Sequence, residues 1–390
     1  MIILTRIVFY PPFQNQVDLN DRYFRALWYL PAVPSAKVVF HVDAVLSVPP
    51  QIRPLHFSEV TDPANPGFTT TFLSCDAESV RDSLASANIV LLWDSDYREA
   101  LNRDLIDAGA TPRLYRVDPV AEQYEGSFFL KVSSDEGSAN LVEQSRARYT
   151  ELVKTFRNRK FYVLCTGPSL ATVHDHDFSD GIVIGCNSLV NNTALLQRLN
   201  PRVIVATDPI FHAGVSRYAE KFRLRLYETM RTYGSTYATV FRDLPVHLNW
   251  TPDDLANRII GVPIDRDLTS PNMSLDHNFG VLGTANVLTL LMLPLVAQYA
   301  EEIVLAGCDG RPIEQNDYFW THDPASQITD EMANIRKVHP GFFTKVSFDD
   351  YYAQHCQTLG EMISLLEKNG TKVTTMTRSF VPALESRFHD

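Results

Sequence analysis

Carboxylates, amides and small turn residues gather where apolar runs end in the second half of this 390-residue chain. One run is followed by Cys165-Thr166-Gly167-Pro168-Ser169-Leu170. There Gly167 permits close backbone approach, and Ser169 can cap a following helix and offer amide groups to a phosphate. A second run leads to Cys186-Asn187-Ser188, whose amide side chain can read a base or a ribose, and a third to Thr207-Asp208-Pro209. The fourth ends in Gly307-Cys308-Asp309-Gly310-Arg311, joining a carboxylate, two glycines and a fixed cation. In Gly280-Val281-Leu282-Gly283-Thr284-Ala285 a glycine and a threonine open an apolar helical pattern, a setting that suits a phosphate or carboxylate. Each segment alone is ordinary turn chemistry. Their succession at strand ends is what points to one shared pocket.

A proton acceptor near neutral pH is usually a histidine, and eleven are present. His355 stands in Tyr351-Tyr352-Ala353-Gln354-His355, and His322 in the aromatic, Asp-bearing segment Tyr318-Phe319-Trp320-Thr321-His322-Asp323. His339-Pro340 reads as turn chemistry, and His174 and His176 lack further ligands at metal-site spacing, so no metal is expected. Tyr318, Phe319 and Trp320 read equally as an acceptor-stacking wall or as a satellite core. Arg217, Lys221, Arg223 and Arg225 read as a solvated helix face. Of five scattered cysteines, Cys165, Cys186 and Cys308 sit at the ends of apolar runs and read as small buried hydrophobes. Neither GxGxxG after the first strand nor GxxxxGK[ST] occurs, so dinucleotide and P-loop fingerprints are lacking.

These residues need a scaffold. Short β-branched runs alternate with longer helical patterns, the signature of an α/β chain with parallel sheets and crossover helices. In the first part, strands are expected at Ile2–Tyr10, Lys37–Val42, Ile89–Trp93 and Arg113–Val117, with helices at Glu78–Ala85 and Asp96–Ala108 and a loop over Ser47–Thr71. A polar stretch, Ser133–Asn140, leads into a helical pattern, and the boundary is set there. It divides the chain into Rossmann-like domains 1–150 and 151–390. Later strands read as residues 160–165, 182–186, 202–207, 302–307 and 371–376, with helices near Asn191–Leu199, Ala213–Tyr233, Gly283–Ala300 and Phe348–Asn369. The stretch Phe241–Phe279 fits an insertion or lid better than a sheet. Ligands of such sheets bind beyond the carboxyl ends of the strands.

Composition narrows the classes. With 45% hydrophobic and 21% charged residues the chain is globular, not disordered. A net charge of −11 has the wrong sign for nucleic acid. The N-terminus lacks a signal-peptide layout, and Val287–Ala300 is too short to span a bilayer. A reduced, cytoplasmic protein is expected; association with the inner face of a membrane is left open.

The order CTGPSL, CNS, TDP, a Gly-Thr helix start and then EIVLAGCDG resembles the bacterial sialyltransferases of glycosyltransferase family 42. It is also similar to the wider group with the MptE-like domain, which includes the Maf-type glycosyltransferases. The resemblance covers roughly residues 158–385. It implies a GT-B-like pair of domains, the C-terminal one holding a CMP-sugar through Gly167, Pro168, Ser169 and Asn187, with Gly283, Thr284 and Asp309 completing the nucleotide site. The N-terminal domain would shape the acceptor site. Where the family has Asn-Pro this chain has Asp208-Pro209, so Asp208 could bind a ribose hydroxyl, act as base, or act as nucleophile with retention. By position Arg311 and Tyr318 would steady the departing phosphate, and His355, or else His322, would be the catalytic histidine.

The implied activity is metal-independent transfer of an acidic sugar, of sialic, nonulosonic or Kdo type, from CMP to a glycan or glycolipid in bacterial polysaccharide biosynthesis. The nucleotide-sugar is a substrate, and no separate cofactor is expected. The alternative is an MptE-like pterin pyrophosphokinase using Mg-ATP, with Asp208 and Asp309 on the metal. A third possibility is a nucleotide-binding module without turnover.

Overall fold

Runs such as FYVL at 161–164 and IVLA at 303–306 are apolar at every position, which suits strands covered on both faces. The structure is a computed structural model that describes residues 4–59, 67–136, 139–156, 159–284, 286–312, 323–345 and 347–388. Its first sheet contains β1 (Thr5–Tyr10), β2 (Ala36–Val42), β3 (Thr69–Ser74), β4 (Ile89–Leu92) and β5 (Arg113–Arg116). All pair in parallel, in the order β3-β2-β1-β4-β5. The second sheet contains β6 (Lys160–Leu164), β7 (Ile182–Cys186), β8 (Val203–Val205), β9 (Thr236–Val240), β10 (Ile259–Val262), β11 (Glu302–Ala306) and β12 (Lys372–Thr375). These too are parallel, in the order β10-β9-β8-β7-β6-β11-β12. The protein is thus a two-domain α/β chain of Rossmann-like type.

Successive side chains of a strand face opposite ways, and the cores follow that alternation. Phe161 and Val163 of β6 join a cluster with Leu291, Leu295, Leu359 and Ile363, while Tyr162 and Leu164 join Leu170, Leu195 and Leu199 on the other face. In the first sheet Ile7 and Phe9 face Trp28 and Phe129, and Val8 and Tyr10 face Val80, Leu84 and Leu101. The helix Ala139–Val153 packs with the second sheet, where the Tyr149 hydroxyl donates to the Leu295 carbonyl at 3.1 Å.

The halves share a core. Ala213, Val215, Val246 and Val338 of the second half are buried in the cluster of the first. Trp28 stacks on Trp250 with ring centres 4.5 Å apart, and each indole N–H donates to a carbonyl across the boundary: Trp28 to Ala213 at 3.0 Å, Trp250 to Trp28 at 2.9 Å. Arg25 is buried between Asp21, Glu125 and the Val338 carbonyl, and Glu125 also meets His339 at 2.8 Å.

Several expectations need correction. Phe241–Phe279 is not an insertion, because β10 lies inside it as a full member of the second sheet. Its four residues are too short a run to stand out. The edge strand β3 emerges from the end of the expected Ser47–Thr71 loop; being half exposed, its sequence TTTFLS carries little apolar signal. The apolar helix starts at Val287, not Gly283.

Candidate functional site

Both sheets reverse their strand order beside their first strand, which opens a crevice between the loops that leave two neighbouring strands in opposite directions. In the second sheet this crevice widens into a cavity of about 1080 Å³ over the carboxyl ends of β6 to β9 and β11. Its floor carries Cys165, Asn187, Asp208 and Asp309; Thr284 and Asn286 form one wall, and Tyr351 and His355 face them from the helix Phe348–Lys368. Gln123, Tyr124 and Ser127 close it from the first half.

Asp208 sits three residues past β8. Its Oδ1 accepts the backbone N–H groups of Ile210 at 2.9 Å and Phe211 at 3.0 Å, a turn that holds the carboxylate by one oxygen. Oδ2 has no hydrogen-bond partner among the described residues. Burial pushes the carboxyl up to about 6, against the pull of those two N–H groups and of Arg242. The Asp208 N–H donates to Nδ1 of His212 at 3.1 Å, so the neutral imidazole carries its proton on Nε2. Burial lowers His212 to about 3 and keeps it neutral. Arg242, at the end of β9, lines the same cavity, pairs with Asp243 at 2.6 Å and reaches Ser127 of the first half at 3.2 Å.

Asp309 explains the Gly-Pro-Ser turn. Its Oδ1 accepts the Ser169 N–H at 3.0 Å and its Oδ2 the Ser169 hydroxyl at 2.8 Å. A Cβ on Gly167 would lie 2.0 Å from Oδ2, so only glycine lets the two loops meet. The donors expected to hold a phosphate are therefore spent on a carboxylate. Gly167, Pro168 and Ser169 clamp Asp309 from behind and do not line the cavity, whereas Asp309 does. Burial raises the Asp309 carboxyl above its ordinary range.

Asn187 lines the cavity with a left-handed backbone, φ +48°, which asparagine tolerates better than most residues. Its Oδ1 is buried without a partner. Thr284 also lines it, its hydroxyl 3.0 Å from that of Thr289, but neither it nor Gly283 opens a helix. Asn286 does so instead, accepting the Leu288 N–H at 2.9 Å. Gly283 is outside the lining.

Arg311 departs furthest from expectation. It is buried with its guanidinium against Asp349 and 5.2 Å from the Tyr352 ring centre, and it does not reach the cavity. The strand-end turn at Gly310, φ +63°, carries the chain away before the arginine begins. His355 does line the cavity, and burial lowers it to about 4, so it is neutral yet a weak proton acceptor. His322 and Tyr318, with Phe319, Trp320 and Ala285, lie outside the described residues.

His212 and Arg242 were missed by sequence. An Asp-x-x-x-His spacing after a strand end could have flagged the first; the second required β9 to be read as a strand. Among the described residues no group of three His, Cys, Asp or Glu side chains is placed to hold a metal ion. Among them, too, no helix is long and apolar enough to cross a membrane.

No family model matches the chain, and no curated protein matches it. Among solved structures, it is similar to a possible iron-binding (periplasmic solute-binding) protein from Staphylococcus epidermidis ATCC 12228. That match has 12% identity over 65% of this chain and 97% of that one, with a TM-score of 0.18, too low to bear on fold or function.

Proposed function

We propose that this protein is a glycosyltransferase of GT-B-like arrangement, moving an acidic sugar from a CMP-sugar to a glycan or glycolipid hydroxyl. The observation that carries the reading is Asp208: a carboxylate anchored by one oxygen, its other oxygen unpartnered, ionising near pH 6 in a cavity shared with Asn187, Thr284, Asp309 and His355. Asn187 and Thr284 give the nucleotide its polar contacts. Arg242 and the Nε2–H of His212 face the phosphate. The acceptor oxygen attacks the anomeric carbon while the bond from that carbon to the phosphate breaks. CMP leaves with the bonding pair, and the hydroxyl proton passes to Asp208 Oδ2. A group with a pKa close to the working pH is the better base, which favours Asp208 over His355. No metal takes part in these steps.

Thermal shift and titration calorimetry with CMP, CTP, ATP and UDP, each with and without Mg²⁺, test the proposal. Stabilisation by CMP irrespective of Mg²⁺ is expected. Stabilisation by ATP with Mg²⁺ alone would replace this reading with the pyrophosphokinase, and silence towards every nucleotide would remove both.

A further inference from the structure

Three of the five cysteines meet on the cavity floor. β6 and β7 run in register with Leu164 beside Gly185, so one residue further on Cys165 stands beside Cys186. Cys308 follows β11 on the other side of β6, and all three thiols line the same cavity. All are free thiols; Cys165 is half-buried where Cys186 and Cys308 are buried. Neighbouring strands are spaced by about 4.8 Å, which falls within the Cα separations a disulfide spans. The apolar-hydrophobe reading accounts for Cys186 but not for a half-buried thiol that faces a ligand-sized cavity beside two further cysteines.

We propose that Cys165 is a peroxide-reactive thiol whose oxidation is resolved by Cys186, giving a reversible disulfide across the floor of the cavity. In the first step the Cys165 thiolate attacks a hydroperoxide, the O–O bond breaks, and Cys165 becomes a sulfenic acid while hydroxide, or the alcohol's alkoxide, departs. In the second the Cys186 thiol attacks that sulfur, the S–O bond breaks, and water leaves with the thiol proton. Sulfur is oxidised and peroxide oxygen reduced, with two electrons passing. The neighbours divide the work: S–H donation from Cys186 and Cys308 holds the Cys165 thiol well below its ordinary range, while both donors are pushed up. The inference rests on the cavity floor and not on the glycosyltransferase reading; covalent products report it whether or not a nucleotide binds.

The test uses the full-length reduced protein. Iodoacetamide should label Cys165 about tenfold faster than Cys75 at pH 7, as expected of a thiolate-rich cysteine. Hydrogen peroxide should then give one dominant Cys165–Cys186 linked peptide by non-reducing mass spectrometry, undone by dithiothreitol. Cys186→Ser should lose that peptide and leave a sulfenic acid at Cys165 that dimedone captures. Peptide mapping of the unaltered protein keeps the test valid if the variant does not fold. Labelling of Cys165 no faster than Cys75, or peroxide products confined to Cys75 and Cys356, would overturn the proposal. If the link forms but CMP never stabilises the reduced protein, only the proposed function fails.

Discussion

The two sheets present the same reversal of strand order and put it to opposite ends. Beside β1 and β4 the crevice of the first sheet is stopped by aromatic rings. Phe13 stacks on Trp93 with centres 4.7 Å apart, Phe40 packs beside Phe13, and the Trp93 indole donates to the Pro11 carbonyl at 2.7 Å. The Arg22 guanidinium lies 5.1 Å from the Trp93 ring centre. Beside β6 and β11 the equivalent place holds Asp309 and its glycine-bearing clamp, and the floor continues as Asn187 and Asp208. Topology offers a crevice twice; the residues at the strand ends decide which one becomes a site.

The comparison can be broken most sharply at Asp208. Asp208→Asn should keep nucleotide affinity and lower the transfer rate by about 10²–10⁴-fold, the usual contribution of a positioned base. The residual rate should lose the rise through pH 6 expected of the unaltered protein. In the first sheet Phe13→Ala should instead cost stability, about 3–5 kcal/mol by urea unfolding, since it empties a fully buried ring site. Nucleotide affinity at folded concentrations should not change. An equal loss of transfer in both variants would erase the distinction between the two edges.

Acid should then separate the groups around the cavity. His212 and His355 have folded pKa values lowered to about 3 and about 4 from 6.5, so below pH 6.5 the unfolded chain takes up protons that the folded chain refuses. Stability falls from pH 6.5 towards 4. Asp208, raised from 3.8 to about 6, acts in the opposite sense and favours the folded state as pH falls through 6. The two histidines outweigh Asp208, and Asp309, also raised by burial, offsets part of the remainder, so the net loss by pH 4 is on the order of a few kcal/mol. Melting temperature against pH should show it, and His355→Gln should flatten the slope by roughly 3 kcal/mol over that range.

Gly167→Ala sharpens the role of the clamp. The added methyl displaces Asp309, costing about 1–3 kcal/mol as an overpacked site, and CMP affinity should weaken through the moved carboxylate. Arg311→Met should have the smallest effect. Methionine fills the buried site of the Arg311 stem and leaves only the largely exposed Asp349 without its ion-pair partner, so stability changes by about 1 kcal/mol or less, and CMP affinity stays within twofold. A large affinity loss would mean that Arg311 reaches the phosphate after all.

Strands covered on both faces were legible because apolar residues dominate them, and β1, β2, β4, β6, β7, β8 and β11 were expected near where they lie. The partly exposed edge strands β5 and β12, RLYR and KVTT, were expected too, though their signal is weaker. β3, β9 and β10 escaped, being an edge strand, a TYATV run with polar positions, and a four-residue segment. The strand-end rule likewise brought Asn187, Asp208, Asp309 and Thr284 to one cavity. It failed where a partner far away in the chain decides what a side chain does. Ser169 is turned to Asp309 across 140 positions, and Arg311 to Asp349 across 38. Short motifs carry residue types and spacing, but not the competition for a donor.

The stacked tryptophans that join the halves bear on how any substrate gets in. Parting the domains like jaws would expose Trp28, Val215, Val246 and Val338 to water, at about 1.5–3 kcal/mol for each large side chain. Such gaping is too expensive to accompany each binding event. A ligand of this cavity enters through the existing opening, where lining residues such as Tyr124 and Lys345 are exposed, so the width of that aperture, rather than a clamshell motion, controls what reaches Asp208.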